Sequence, residues 1–252
     1  MRRLDKILKE PKYALAFSGG VDSTFLAAYA RRRSKVFCIT VDTPFVQRSE
    51  IKNARRTSEM LGLPHKVIKL PLPTAILKNP RDRCYKCKKF IFSRIKSLAE
   101  KEGLGCVIDG TNYDELSEDR PGLFALRELD IESPLALAGI GKKKIRSLSK
   151  KMGLWTWNKP SLSCLATRIP YGQNITHKKL RMIEQSEHFL KNLGFYNVRV
   201  RHYETIAKIE VDKKDIKRIA ELAVQIDKKL KDIGFLCVTH DLGGYKSGGA
   251  NV

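Results

Sequence analysis

Short apolar runs alternate with longer amphipathic stretches through the first half of the chain. Residues 13–17 are continuously apolar and end at Ser18-Gly19-Gly20, and residues 21–33 then carry apolar side chains at helical spacing. A second apolar run, Lys35–Asp42, precedes a helical stretch at 49–61 and a strand-like run at 65–70. Another helix is expected within 84–103 and another buried strand at 106–109. Strands and helices in strict alternation predict a parallel sheet with crossover helices, so the expected fold class is α/β with a doubly wound parallel sheet.

The pattern changes between 141 and 170, where the basic stretch Lys142-Lys-Lys-Ile-Arg146 runs into Trp155-Thr-Trp157 and then into Lys159-Pro-Ser-Leu-Ser-Cys-Leu-Ala-Thr-Arg168. This stretch reads as a loop-rich crossing. From Thr176 the pattern restarts as helix (177–193), two strands (197–201 and 206–211), helix (215–233) and strand (235–239), which predicts a smaller C-terminal α+β domain. Three parts are therefore expected: a nucleotide-binding domain at 1–158, a cysteine-bearing crossing loop at 159–175, and an α+β domain for substrate or oligomerisation at 176–252.

Composition narrows the function. With 42% hydrophobic and 30% charged residues in 252, the chain is globular in character. Forty-nine Lys and Arg against 27 Asp and Glu give a net charge of +22, which calls for anionic partners without choosing among nucleic acid, nucleotides and acidic metabolites. No apolar run approaches the ~20 residues that span a bilayer, and the basic opening MRRLDKILKEPKYALAF lacks the apolar core of a signal peptide. A cytoplasmic enzyme with no membrane partner is expected, and a homo-oligomer.

Ser18-Gly19-Gly20-Val21-Asp22-Ser23 falls where a strand ends and a helix begins. Small residues let backbone N–H groups approach phosphate oxygens, the helix N-terminus adds partial positive charge, and both serine hydroxyls can donate to the same oxygens. Asp22 would repel a phosphate directly, so its role is better read as holding Mg2+. A plain capped glycine turn is the competing reading. The Gly-Lys-Ser/Thr ending of kinase-type loops is absent, as is the G-x-G-x-x-G of dinucleotide folds. Thr43, after the second strand, and Gly110, in Asp109-Gly-Thr-Asn112, are expected at the same carboxyl edge of the sheet.

The six cysteines separate by context. Cys38, Cys106 and Cys237 sit in apolar strand-like runs and read as small buried hydrophobes. Cys84 and Cys87, in Arg83-Cys-Tyr-Lys-Cys-Lys-Lys89, and Cys164 are in polar, basic surroundings that favour thiolate. Spacing alone leaves open a redox pair, an iron–sulfur cluster, a zinc site wanting a fourth ligand, and Cys164 as a lone nucleophile.

The SGGVDS loop, Asn79-Pro-Arg-Asp-Arg-Cys-Tyr-Lys-Cys-Lys88, Asp109-Gly-Thr-Asn112, Arg120-Pro-Gly122, Ser133-Pro-Leu135, the segment 159–172 and Asp241-Leu-Gly-Gly-Tyr-Lys-Ser-Gly248 together resemble the LarE family of ATP-dependent sulfur transferases, over nearly the whole chain. The resemblance implies a PP-loop ATP pyrophosphatase fold, related to the adenine nucleotide alpha hydrolases, with ATP bound by Ser18, Gly19, Gly20, Val21, Asp22, Ser23, Thr43 and Gly110. It implies adenylation of a carboxylate of a pyridinium dicarboxylate mononucleotide, a small anionic substrate, and replacement of oxygen by sulfur on the route to a nickel-pincer cofactor. Cys164 matches the essential cysteine. With Cys84 and Cys87 it resembles the members in which three thiolates hold a 4Fe-4S cluster carrying sulfide; in members with one cysteine, that residue gives up its own sulfur. Arg168, Glu187, Arg199, Arg201 and Lys246 are the expected substrate contacts. Lys246, Lys208 and Leu137 depart from the usual pattern. The alternatives are tRNA thiolation, to which the charge lends weight, an amidotransferase-type ligase, and a non-catalytic nucleotide-binding protein.

Overall fold

The computed structural model describes residues 1–117, 121–160 and 163–245. They form two compact units, one of Met1–Pro73 with Asp82–Ser161 and the other of Thr74–Arg81 with Leu162–Val252.

In the first unit the apolar runs become β1 (Lys12–Ala16), β2 (Lys35–Asp42), β3 (His65–Lys69) and β4 (Cys106–Ile108). All pair in parallel in the order β3-β2-β1-β4, with Lys12 opposite Lys35 and Tyr13 opposite Cys106. The connecting and flanking helices are α1 (Arg2–Ile7), α2 (Val21–Ala30), α3 (Arg48–Met60), α4 (Arg83–Lys101), α5 (Gly122–Glu128), α6 (Pro134–Leu137) and α7 (Lys142–Lys151). Successive strand residues point to opposite faces. Leu15, Cys38 and Ile108 pack with Phe25 and Leu26 of α2 and Ile145 of α7, whereas Ala14, Ile39 and Val107 pack with Phe92 and Ile95 of α4 and Leu126 of α5. Helices thus cover both faces, as the doubly wound expectation requires. The strand order reverses between β1 and β4, which opens a crevice at their carboxyl ends.

The stretch from 141 to 170 is less irregular than its composition implies. It contains the whole of α7 and short 3-10 turns at Trp155–Asn158 and Leu165–Arg168. The helix forms because Ile145, Leu148 and Met152 make a narrow apolar stripe under the lysines and pack into the core behind the sheet.

In the second unit, α8 (His177–Asn192) is capped by Thr176, whose hydroxyl accepts from the Lys179 N–H at 3.2 Å. The hairpin β5 (Val198–Tyr203) and β6 (Ile206–Val211) is antiparallel and turns at Glu204 with φ 53°. The expected single helix at 215–233 is two, α9 (Ile216–Glu221) and α10 (Ala223–Ile233), broken at Leu222. The chain then returns as β7 (Cys237–His240), parallel to β6 at the edge of the sheet β5-β6-β7. Leu190, Phe195, Val200, Ile209, Leu230 and Phe235 form the core.

Candidate active site

The Phe17 N–H continues the ladder beyond β1, donating to the Ile39 carbonyl at 2.8 Å. Its own carbonyl accepts from the Thr40 hydroxyl at 2.6 Å, and Thr40 contacts His65 Nε2 at 2.7 Å while Ser58 contacts Nδ1 at 2.8 Å. Burial, with the Arg55 charge behind it, pushes the His65 pKa down to about 4. A neutral imidazole therefore buttresses the strand end from which the loop departs.

The loop itself is closed by its hydroxyls. Ser18 Oγ and Ser23 Oγ are 3.0 Å apart, Ser18 Oγ accepts from the Gly20 N–H at 3.2 Å, and Ser23 Oγ accepts from the Ser18 N–H at 3.3 Å. Two glycines are sterically required. Gly19 has φ 65°, and a Cβ there would stand 2.7 Å from Ala54 Cα of α3; one at Gly110, beyond β4, would stand 2.9 Å from the Ser23 backbone nitrogen. The exits of β1 and β4 are therefore in contact at the switch point, with Val21 buried as the first residue of α2. Thr43 is also buried; its hydroxyl accepts from the Phe45 N–H at 3.3 Å, and Arg48 closes the turn by donating to the Asp42 carboxylate and, at 2.6 Å, to the Thr43 carbonyl.

Asp22 lies in the first turn of α2. Its Oδ2 accepts from the Lys142 ammonium, and its Oδ1 is buried with no hydrogen-bond partner. An anionic oxygen left open at the mouth of a phosphate loop fits a hard cation such as Mg2+. Lys159 approaches the loop from another side, donating to Glu50 Oε2 at 2.9 Å and to the Gly19 carbonyl at 3.2 Å. Sequence reading assigned neither lysine to the loop. Both lie more than a hundred residues from it in a chain full of lysines, and no local signal marks them.

In the second unit Cys164 is exposed and begins the turn Leu165–Arg168. Arg168 is 1% exposed. It donates to Glu187 through Nε (2.8 Å) and Nη2 (3.2 Å), and its Nη1 reaches the Ser163 and Cys164 carbonyls, both at 2.9 Å. Glu187 also accepts from the Val200 N–H at 3.2 Å. Arg201 makes a two-point pair with Glu210 at 2.5 and 2.9 Å and donates to the Thr167 carbonyl at 3.1 Å. Arg199 lies over the Tyr245 ring, and burial followed by the Arg168 charge pushes its guanidinium pKa down. The structure thus brings Arg168, Glu187, Arg199 and Arg201 together behind the cysteine turn; Lys246 lies outside the described residues.

Cys84 and Cys87 occupy the first turns of α4 in the first unit, exposed and half-buried respectively. Among the described residues no three His, Cys, Asp or Glu side chains are grouped to hold a metal ion. The remaining cysteines correct one expectation. Cys38 is buried, and burial pushes its thiol pKa up to about 12, but Cys106 is half-buried at about 11, and Cys237, on the edge strand β7, is exposed.

No helix among the described residues is long and apolar enough to cross a membrane. Residues 6–74, from α1 through the loop to the end of the β3 region, match the family model described as asparagine synthase. A protein of Methanocaldococcus jannaschii described as uncharacterized is 38% identical over 97% of this chain and 94% of its own length. A Synechocystis protein described in the same way is 37% identical over 94% and 91%. The pyridinium-3,5-bisthiocarboxylic acid mononucleotide synthase of Lactiplantibacillus plantarum is 32% identical over 95% of this chain and 89% of its length. With that relative matched nearly end to end and the glycine loop closed at the switch point of a doubly wound sheet, the chain belongs to the LarE family, ATP-dependent sulfur transferases of the PP-loop group.

Proposed function

We propose that the chain adenylates a carboxylate of a pyridinium dicarboxylate mononucleotide and replaces one of its oxygens with sulfur, in the making of a nickel-pincer cofactor. The observation that carries the reading is the loop at Ser18–Ser23, where two hydroxyls and an unpartnered Asp22 oxygen meet at one point of the sheet edge. The likeness to the pyridinium-3,5-bisthiocarboxylic acid mononucleotide synthase of Lactiplantibacillus plantarum supports this acceptor and the transfer of sulfur to it.

Each group has a definable task. Loop amides and the α2 N-terminus bind phosphate oxygens. Asp22 would hold Mg2+, which supplies charge neutralisation at the phosphates when bound. A carboxylate is a poor electrophile until its oxygen carries AMP, and a thiolate is a strong nucleophile near neutral pH. Cys164, exposed at the start of its turn, is the sulfur-handling residue. Arg168 and Glu187 act as positioning residues, fixing the carbonyls on either side of the cysteine turn. Three guanidiniums against two carboxylates leave positive charge behind that turn, which favours an anionic substrate with Arg199 as its contact.

Cys84, Cys87 and Cys164 are the thiols that would hold a 4Fe-4S cluster, whose chemistry would be to carry sulfide. The test is anaerobic turnover with ATP and the mononucleotide, read by mass spectrometry, alongside iron and sulfide analysis. The thiocarboxylate product should form with wild type and vanish with Cys164→Ala. Cluster-loaded protein should lose iron in Cys84→Ala and Cys87→Ala; full activity without iron would instead make Cys164 the sacrificial donor. The surplus of 22 positive charges keeps tRNA as the runner-up acceptor, to be recognised by thiolated nucleosides among the products.

A further inference from the structure

Lys142 is built into the edge of the nucleotide loop from a distant part of the chain. Asn112, just beyond β4, accepts from the Asp114 N–H at 3.0 Å, and Asp114 in turn accepts from the Lys142 N–H at 2.7 Å, so the β4 exit fixes where α7 begins. From that fixed backbone the Lys142 ammonium reaches Asp22 in the first turn of α2. The two side chains keep 29% and 20% of their surface exposed, and a partly exposed pair of this kind is a weak tie that a ligand can displace.

The other cations at this edge are differently engaged. Lys159 is only 10% exposed and is held between Glu50 and the Gly19 carbonyl, while Arg48 closes the turn after β2. Lys142 instead partners the carboxylate that the metal of a bound nucleotide would claim, and Asp22 Oδ1 already stands open beside it. A cation arriving at Asp22 would repel the ammonium and free it where the phosphate chain must lie, next to the amides that open α2.

We propose that Lys142 is the pyrophosphate-holding residue of the active site: on nucleotide binding it exchanges Asp22 for oxygens of the β and γ phosphates and stays with them as they leave. This rests on reading Ser18–Ser23 as an ATP loop. In the step it assists, a substrate carboxylate oxygen bonds to the α phosphorus, the bond from that phosphorus to the bridging oxygen breaks, and the electron pair departs with pyrophosphate. Lys142 remains an ammonium throughout and transfers no proton; its contribution is charge-assisted hydrogen bonding to the leaving group.

Two ligands and one metal probe separate this role from a structural one. Calorimetry with magnesium pyrophosphate should show binding weakened about tenfold or more in Lys142→Met and largely restored in Lys142→Arg. AMP, which has no β or γ phosphate, should bind both variants within about twofold of wild type. Paramagnetic resonance of Mn2+ added to nucleotide-free protein should show tighter binding to Lys142→Met, because Asp22 has lost its competing cation. Opposite shifts for pyrophosphate and Mn2+ support the assignment. Unchanged pyrophosphate affinity in Lys142→Met, or equal losses for AMP and pyrophosphate, would overturn it. Wild-type protein that binds neither ATP nor pyrophosphate would overturn the ATP-loop reading itself.

Discussion

Around Ser18–Ser23 the polar groups belong mainly to the backbone and to small hydroxyls, and one carboxylate oxygen of Asp22 is left open. Around Cys164 they belong to long side chains, and Arg168, Glu187, Arg201 and Glu210 are buried in two-point ion pairs. The first region holds its binding capacity in reserve, whereas the second has committed its charges to fixing a turn. Substitutions in the two should therefore fail differently: loop variants should lose ligand affinity first, and variants behind the cysteine should lose stability first.

The largest effect is expected from Glu187→Ala. It leaves the Arg168 guanidinium buried without its carboxylate, and denaturant unfolding should show a loss of about 3–5 kcal/mol. Arg168→Met combined with Glu187→Leu should recover much of that loss while leaving Cys164 poorly positioned and turnover low, since an apolar pair of similar volume can replace a buried ion pair in stability but cannot hold the Ser163 and Cys164 carbonyls. If the double variant were as unstable as the single, the pair would be more than a positioning device.

Next comes the loop. Gly19→Ala should cost about 1–2 kcal/mol from its left-handed backbone and more from the collision with Ala54, with ATP affinity falling further than stability. Gly62→Ala is the matched control. It has φ 58° but faces open space, so it should show the backbone cost alone and normal nucleotide binding.

A smaller effect separates the units by pH. Burial, joined by Arg55 for His65 and Lys179 for His202, lowers both histidines to about 4. As pH falls below about 6.5, the unfolded chain takes up protons on these rings while the folded chain does not. The stability that these two neutral rings contribute should be lost between about pH 6.5 and 4. His65→Gln should flatten the slope while weakening nucleotide binding, and His202→Gln should flatten it without that loss. The smallest prediction concerns labelling: at pH 8, Cys84, Cys164 and Cys237 should react with a maleimide within minutes and Cys38 only on unfolding.

The parallel sheet was legible because β1, β2 and β4 are locally apolar runs; β2 begins and ends at the residues its pattern marks. The helix α7 was not, because its lysines mask a three-residue apolar stripe and its N-terminus is closed by Asp114, far away in sequence. The same holds for the excursion 74–81, which joins the second unit because the Asn79 side chain donates to the Ile169 and Pro170 carbonyls. In the site, residues 18–23 announce themselves because loop chemistry depends on contiguous small residues. Lys142 and Lys159 do not, since a long flexible cation can be supplied from anywhere in a chain with 49 of them. Arg168 was identified as important, but its burial against Glu187 follows from the packing of α8 on its turn, which no spacing rule encodes.

Cleavage of ATP between its α and β phosphates is tested most directly by quantifying nucleotide products when the purified protein meets Mg-ATP and the pyridinium dicarboxylate mononucleotide. Equal amounts of AMP and pyrophosphate, formed only with the carboxylate present and lost in Asp22→Ala, are the predicted result. ADP with inorganic phosphate, or undiminished AMP formation by Asp22→Ala, would contradict it.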